Sequence, residues 1–159
     1  MFEFALFATL FSSAASEWQI ARRGADSVLV YKAAAAASNG TRPILSIECR
    51  QGTTSLTVFW HQLLGAQPVT YAIDHHPPRV EYWRRTADAR SVGVWGGPSI
   101  SLSKRLIGKS QLTVYARTRS NEIVHAQFSL SGLDRAIAPV EQACRWRRSV
   151  RITLQGISG

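Results

Sequence analysis

ILSIECRQGTTSLTVFW, residues 44–60, alternates between apolar and polar residues on both sides of one glycine. Such a period of two is that of a strand with one buried face, and a Gly-Thr pair between two such runs indicates a turn. The segment therefore predicts an antiparallel hairpin with one apolar face. That face carries Leu45, Ile47, Cys49, Leu56, Val58 and Trp60.

Period-two patterns recur along the rest of the chain. They predict strands over residues 69–73, 112–116 and 124–130, whereas the Gly and Pro residues between 93 and 98 indicate a break before a short helical turn at 101–107. Short antiparallel strands with turns between them are typical of a β-sandwich or a curled sheet. We therefore predict a mostly β fold.

The segment SGLDRAIAPVEQACRW, residues 131–146, departs from this period. Leu133, Ile137, Val140 and Cys144 recur at the spacing of one helical face. Because Pro139 lacks a backbone N–H, we expect it to kink or restart the helix. The prediction is one C-terminal α-helix packed on the sheet, with Cys144 on its apolar face.

The N-terminus predicts export. An apolar run at residues 4–11 precedes small residues at 12–16, which is the pattern of a cleaved signal peptide. No Lys or Arg precedes the run, so a start inside a longer signal and a first strand are the alternatives. Disulfides persist in oxidising compartments. We therefore predict a periplasmic protein with a Cys49–Cys144 disulfide, against the alternative of two buried thiols.

Three segments follow from these patterns. Residues 1–16 are the predicted signal peptide, 17–146 a single β-rich domain, and 147–159 a basic C-terminal extension. A length of 159 residues suits one domain. No apolar stretch is long enough to span a bilayer, so the chain is not predicted to be an integral membrane protein.

The formal net charge of +9 favours an anionic partner, such as an acidic protein, nucleic acid, a phospholipid surface or an anionic glycan. The alternative is a basic protein rich in arginine. Guanidinium groups pair bidentately with carboxylates. Four arginines close in sequence, beside Pro77 and Pro78, are therefore predicted as a partner-binding patch. They are Arg79, Arg84, Arg85 and Arg90.

Signals for chemistry are weak. The sequence has no Gly-x-Ser-x-Gly motif and no phosphate-binding glycine loop. Asp74-His75-His76 could supply metal ligands. Because neighbouring side chains on a strand point to opposite faces, one metal site could use at most two of them. We therefore interpret the segment as a polar loop after a strand. We predict no catalytic residue, no metal site and no cofactor. A small hydrolase that uses Asp74 and a histidine is the enzymatic alternative.

Several motifs occur in an order typical of one protein family. The closing residues 132–146 contain GL, AI and ACRW in order. The other matching positions are Trp18, residues 42–49, 54–58, 64–65 and 71–74, Trp83 and residues 128–133. Together these motifs resemble the VasI (also called TagO) family of type VI secretion system-associated proteins, over residues 18–146. The closing residues are the most specific of them, although exported β-domains of the invasion-associated locus B type share a similar closing helix.

This resemblance implies an exported accessory or adaptor protein of a type VI secretion system. Such a protein would act without catalysis, through contacts with protein components of a secretion apparatus in the cell envelope. The alternative is a basic binding module for nucleic acid or an anionic glycan. Trp83-Arg84-Arg85 and Arg145-Trp146-Arg147-Arg148 would suit single-stranded nucleic acid, but export argues against nucleic acid as a partner.

Overall fold

The computed structural model describes residues 17–146. The predicted signal peptide at 1–16 and the predicted extension at 147–159 lie outside the described residues. Within residues 17–146, the strands are β1 (Gln19–Arg22), β2 (Ser27–Ala33), β3 (Ala36–Ala37), β4 (Ile44–Arg50), β5 (Thr53–Phe59), β6 (Val69–Ile73), β7 (Arg79–Glu81), β8 (Arg84–Arg85), β9 (Ser91–Trp95), β10 (Gln111–Arg117) and β11 (Ile123–Ser129). The helices are α1 (Gly97–Leu106), α2 (Leu133–Ala136) and α3 (Ala138–Ala143), and Ser38–Gly40 forms a 3-10 turn.

The strands form two antiparallel sheets. The first has the order β1-β2-β4-β5-β9-β8, and the second has the order β3-β11-β10-β6-β7. Apolar residues from both sheets belong to one buried core. The predicted mostly β fold, an antiparallel sandwich with a C-terminal helix, is confirmed.

The hairpin predicted from residues 44–60 is the pair β4 and β5. Ile47 faces Leu56 and Leu45 faces Val58, and all four side chains are fully buried. The turn falls on Gln51 and Gly52, one residue earlier than predicted, and both have positive φ angles, 49° and 76°. Positive φ at both central residues matches the right-handed twist of the flanking strands. The turn therefore fixes the register that buries the apolar face.

The C-terminal helical segment is divided in two. α2 ends at Ala136, α3 begins at Ala138, and Pro139 lies in the first turn of α3. There the missing N–H of proline costs no intrahelical hydrogen bond. The predicted restart of the helix is thus confirmed. A proline inside a continuous helix would leave a carbonyl without its hydrogen bond and clash with the preceding turn. Both effects are avoided because a new helix begins just before Pro139.

Two adjacent contacts hold this segment on the β4–β5 hairpin. A disulfide joins Cys144 to Cys49, with their Cα atoms 5.6 Å apart, as predicted. The indole Nε1 of Trp146 donates a buried hydrogen bond of 2.9 Å to the hydroxyl of Thr54. Cys49 and Thr54 face each other across the hairpin. The chain is therefore anchored on both strands at the same level.

Helix α1 is longer than the predicted turn at 101–107. Gly96, with φ at 71°, leads into it, and Pro98 occupies its first turn, where proline is favoured. Gly93 lies inside β9, where a Cβ would collide with the carbonyl oxygen of Leu56. The predicted break between residues 93 and 98 therefore falls at Gly96, between β9 and α1, and not at Gly93, which lies inside a strand. The glycines and the proline form a close strand contact followed directly by a helix start.

Candidate partner-binding site

A pocket of about 510 Å³ opens between the β6–β7 hairpin and the C-terminal end of α1. Its volume is in the range of sites that hold small ligands or a few side chains. Its lining combines basic side chains with an apolar floor. The lining residues are Tyr71, Ile73, His76, Pro77, Arg79, Lys104, Arg105, Ile107 and Lys109.

Strand alternation places the hairpin residues of the pocket. Tyr71 and Ile73 are two positions apart on β6 and therefore share a face. Arg79 on β7 lies directly opposite Tyr71, so it projects to that same face. The exposed Arg79 thus stands at the rim, and the buried Tyr71 forms part of the floor.

Asp74 fixes the wall that carries Lys109. It directly follows β6 and has a positive φ of 51°, and its Oδ1 accepts hydrogen bonds of 2.9 Å from the backbone N–H groups of Ser110 and Gln111. The bond from Gln111 is the main reason that the pKa of this carboxyl is lowered, so the group stays ionised. Asp74 therefore holds the end of β6 against the start of β10.

A polar chain crosses the floor. The Tyr71 hydroxyl donates to Glu81 Oε1 at 2.8 Å and accepts from Arg105 Nη2 at 3.0 Å. Trp83 Nε1 donates to the other oxygen of Glu81 at 3.4 Å. Burial raises the pKa of Tyr71, and the hydrogen bond from Arg105 opposes this effect. The tyrosine stays neutral and holds Arg105 at the pocket.

The electrostatics of the pocket favour an anion. Two arginines and two lysines line it, and none of the described lining residues is a carboxylate. The carboxylate of Glu81 already accepts from Tyr71 and Trp83. Guanidinium groups can hold a carboxylate or phosphate bidentately, while Ile73 and Ile107 offer apolar contact. The pocket can therefore bind an anionic group attached to an apolar one.

Of the four arginines predicted as a patch, one belongs to the pocket. Arg79 lines it, whereas Arg84 lies over the ring of Trp95 at 4.4 Å. Arg85 Nη1 donates to the carbonyl of Leu64 at 2.9 Å, and Arg90 Nη1 donates to that of His61 at 3.4 Å. All four are exposed. They occur on β7 and β8, which are edge strands of different sheets, and in the turn after β8.

The pocket residues that sequence reasoning missed include Tyr71, Ile73, Lys104, Arg105, Ile107 and Lys109. Lys104 and Arg105 fall in the last turn of α1, where basic residues commonly complement the helix dipole. Their position in the sequence therefore has an ordinary structural explanation. The only local signal was the excess of positive charge itself, since no periodicity in the sequence places the end of a helix beside a hairpin that is distant along the chain.

The two neighbouring histidines that could have supplied metal ligands lie in the turn after β6. His75 is exposed, and His76 lines the pocket with Nδ1 3.1 Å from the carbonyl oxygen of Ile73. Within residues 17–146, no three His, Cys, Asp or Glu side chains are grouped as metal ligands would be.

None of the helices described in residues 17–146 has the length and apolar character needed to cross a membrane.

Comparisons with known proteins agree with the fold. The crystal structure of invasion associated protein B from Bartonella henselae is similar, with a TM-score of 0.55 and 12% sequence identity, over 81% of this chain and 94% of that one. At that identity the likeness shows the fold alone. No curated protein is significantly similar in sequence.

A family model described as "Type VI secretion system VasI, EvfG" matches residues 11–146. The match includes the closing residues 132–146 and confirms the resemblance seen in the sequence. It extends over most of the chain, including both cysteines and the whole described sandwich. The chain therefore belongs to the VasI family of type VI secretion system proteins.

Proposed function

We propose that this protein is an exported accessory of a type VI secretion system that acts in the periplasm by binding a partner protein, without catalysis. The observation that carries the proposal is the family match over residues 11–146. The Cys49–Cys144 disulfide supports an oxidising compartment. Because both cysteines are bridged, neither offers a thiolate nucleophile.

The β7–β8 side of the sandwich supports an acidic partner surface. Arg79, Arg84, Arg85 and Arg90 are all exposed there. Charges on an interface rim mainly change the association rate and its dependence on salt. Capture of the partner should therefore weaken as ionic strength rises, since exposed charges are screened within about 10 Å at 0.1 M salt.

A pull-down from envelope extract across a salt series tests this surface. The test variant carries Arg84→Glu and Arg85→Glu on β8. The matched control carries Arg22→Glu and Arg23→Glu at β1, an exposed pair at the opposite edge of the same sheet. We expect the β8 variant to lose most of its capture of secretion components and the control to retain it.

A melting curve for each variant separates lost binding from lost structure, because Arg84 stacks on Trp95 and Arg85 bonds to Leu64. Arg84→Gln, which keeps polarity without charge, serves as a milder second variant. Equal capture by both double variants would remove this surface from the proposal. Capture of nucleic acid alone, abolished by nuclease, would support the basic binding module instead.

Export is tested separately by fractionation of cells that express the full chain. We expect the protein in the periplasmic fraction, with a mature start near Glu17 and the two cysteine peptides linked in a non-reducing map. Retention in the cytoplasm with two alkylatable thiols would contradict the proposed compartment, whatever the pull-down shows.

A further inference from the structure

β7 is the last strand of the second sheet and, within residues 17–146, has a strand neighbour on one side only, β6. The outer edge of such a strand presents backbone N–H and C=O groups that another chain can pair with. Extended peptides bind many proteins in this way, with main-chain hydrogen bonds for affinity and side-chain pockets for selectivity. β7 lies directly beside a pocket of that kind.

The register of β7 determines what an added strand would meet. Arg79 and Glu81 face the pocket side, and Val80 faces the other side, where it is 66% exposed. An added strand would lie about 4.8 Å from β7, with side chains alternating between the two faces. Every second side chain would therefore approach the basic pocket, and those between would approach Val80.

Charge selects the side chain for the pocket. The side chain of Arg79 makes no hydrogen bond or ion pair with another described residue, and Arg105 is held at the floor by Tyr71. The carboxylates of the hairpin itself are already engaged, Glu81 by Tyr71 and Trp83 and Asp74 by two backbone amides. A carboxylate that enters the pocket could thus pair with the Arg79 guanidinium without displacing an existing side-chain partner of that group.

We propose that β7 binds an extended segment of a partner protein as an added strand, that an acidic side chain of this segment enters the pocket, and that apolar side chains on the other face cover Val80. The proposal rests on the proposed function in assuming a protein partner. It goes further by naming the chemistry of the recognised segment, which is alternation of acidic and apolar residues.

Selection from a displayed library of random eight-residue peptides, with the full mature protein as target, provides the probe. We expect enriched peptides to alternate Asp or Glu with apolar residues. Their affinity should fall at least tenfold for a variant with Arg79→Glu and Lys109→Glu. It should be unchanged for the control with Arg22→Glu and Arg23→Glu, which carries the same change in net charge.

Methylation of the peptide backbone tests strand addition directly. Only every second N–H of an added strand points to β7. N-methyl groups on that set of residues should therefore abolish binding, whereas N-methyl groups on the residues between them should leave binding nearly intact. Side-chain docking without strand pairing would show no such alternation. That result would overturn the proposal.

Three other outcomes would also overturn it: no enriched peptide, enriched peptides without acidic residues, or equal binding to the pocket variant. Vesicles of anionic phospholipid that bind through Arg79 and Lys109, in place of peptides, would identify a membrane site instead. Each result can be told apart from failure of the proposed function, which is judged by capture of secretion components through Arg84 and Arg85 on β8.

Discussion

The C-terminal helices and the β6–β7 hairpin are both attached to the sandwich, but by different means. The helices bury Leu133, Ile137 and Val140 completely and are fixed by the Cys49–Cys144 bridge. The hairpin is fixed at its tip by hydrogen bonds to an ionised carboxylate and leaves most of its charged groups in water. The first region is built for stability. The second leaves side chains available for binding, so substitutions in the two regions should have different consequences.

The largest effect is expected from Cys144→Ser. Loss of the bridge should lower the free energy of unfolding by about 2–5 kcal/mol, because the unfolded chain regains the entropy of an open loop of 95 residues. Urea denaturation measures it. Cys49→Ser with Cys144→Ser is the control and should match the single variant. A loss below about 1 kcal/mol would mean that packing alone holds the helices.

Trp146→Phe should cost about 1–3 kcal/mol, because it leaves the buried hydroxyl of Thr54 without its partner. Thr54→Val removes that hydroxyl. In a double-mutant cycle, the two changes together should therefore cost less than the sum of their separate effects. Simple additivity would show that the indole contributes through its packing and not through the hydrogen bond.

Asp74→Asn should lower the melting temperature by a few degrees at neutral pH. The folded pKa of Asp74 is lowered from 3.8, so its contribution is present above that pH and is lost as the pH falls through the folded pKa. The difference between variant and wild type should therefore shrink below about pH 4. The exposed Glu122→Gln serves as control. A difference that stays constant with pH would exclude the charge as its cause.

The smallest effect on stability is expected from Arg79→Glu with Lys109→Glu. Both side chains are exposed at the pocket rim, and such substitutions usually change stability by less than about 0.5 kcal/mol. Thermal melts at moderate salt measure it. A loss comparable to that of Trp146→Phe would erase the distinction between the two regions, since the rim would then support the fold as well.

The stable region could be predicted from the sequence because each of its parts is a local pattern. The alternation around Cys49 and the helical spacing that ends at Cys144 each give a buried face, and two inward cysteines then suggest a bridge. The pocket has no such pattern. Tyr71, Arg79 and Arg105 come from three elements, and only the packing of α1 against the sheets brings the helix end to β6.

The prediction of the fold from the sequence was least accurate at the glycines between β9 and α1. Gly93 and Gly96 were interpreted together as a break, although one permits close strand pairing and the other leads into a helix. A glycine that avoids a steric collision and one that permits positive φ are identical in a sequence. The distinction depends on which neighbour lies opposite, and that is a property of the sheet.

The bridge between Cys49 and Cys144 also bears on how the protein withstands damage. The bridge closes a covalent ring that runs from Cys49 to Cys144. This ring contains seven of the described strands, β5 to β11, and all three described helices. A protease that cuts the exposed tip of the hairpin at residues 75–78 would therefore produce two fragments that stay linked. The cut molecule would keep both fragments in one covalently linked unit.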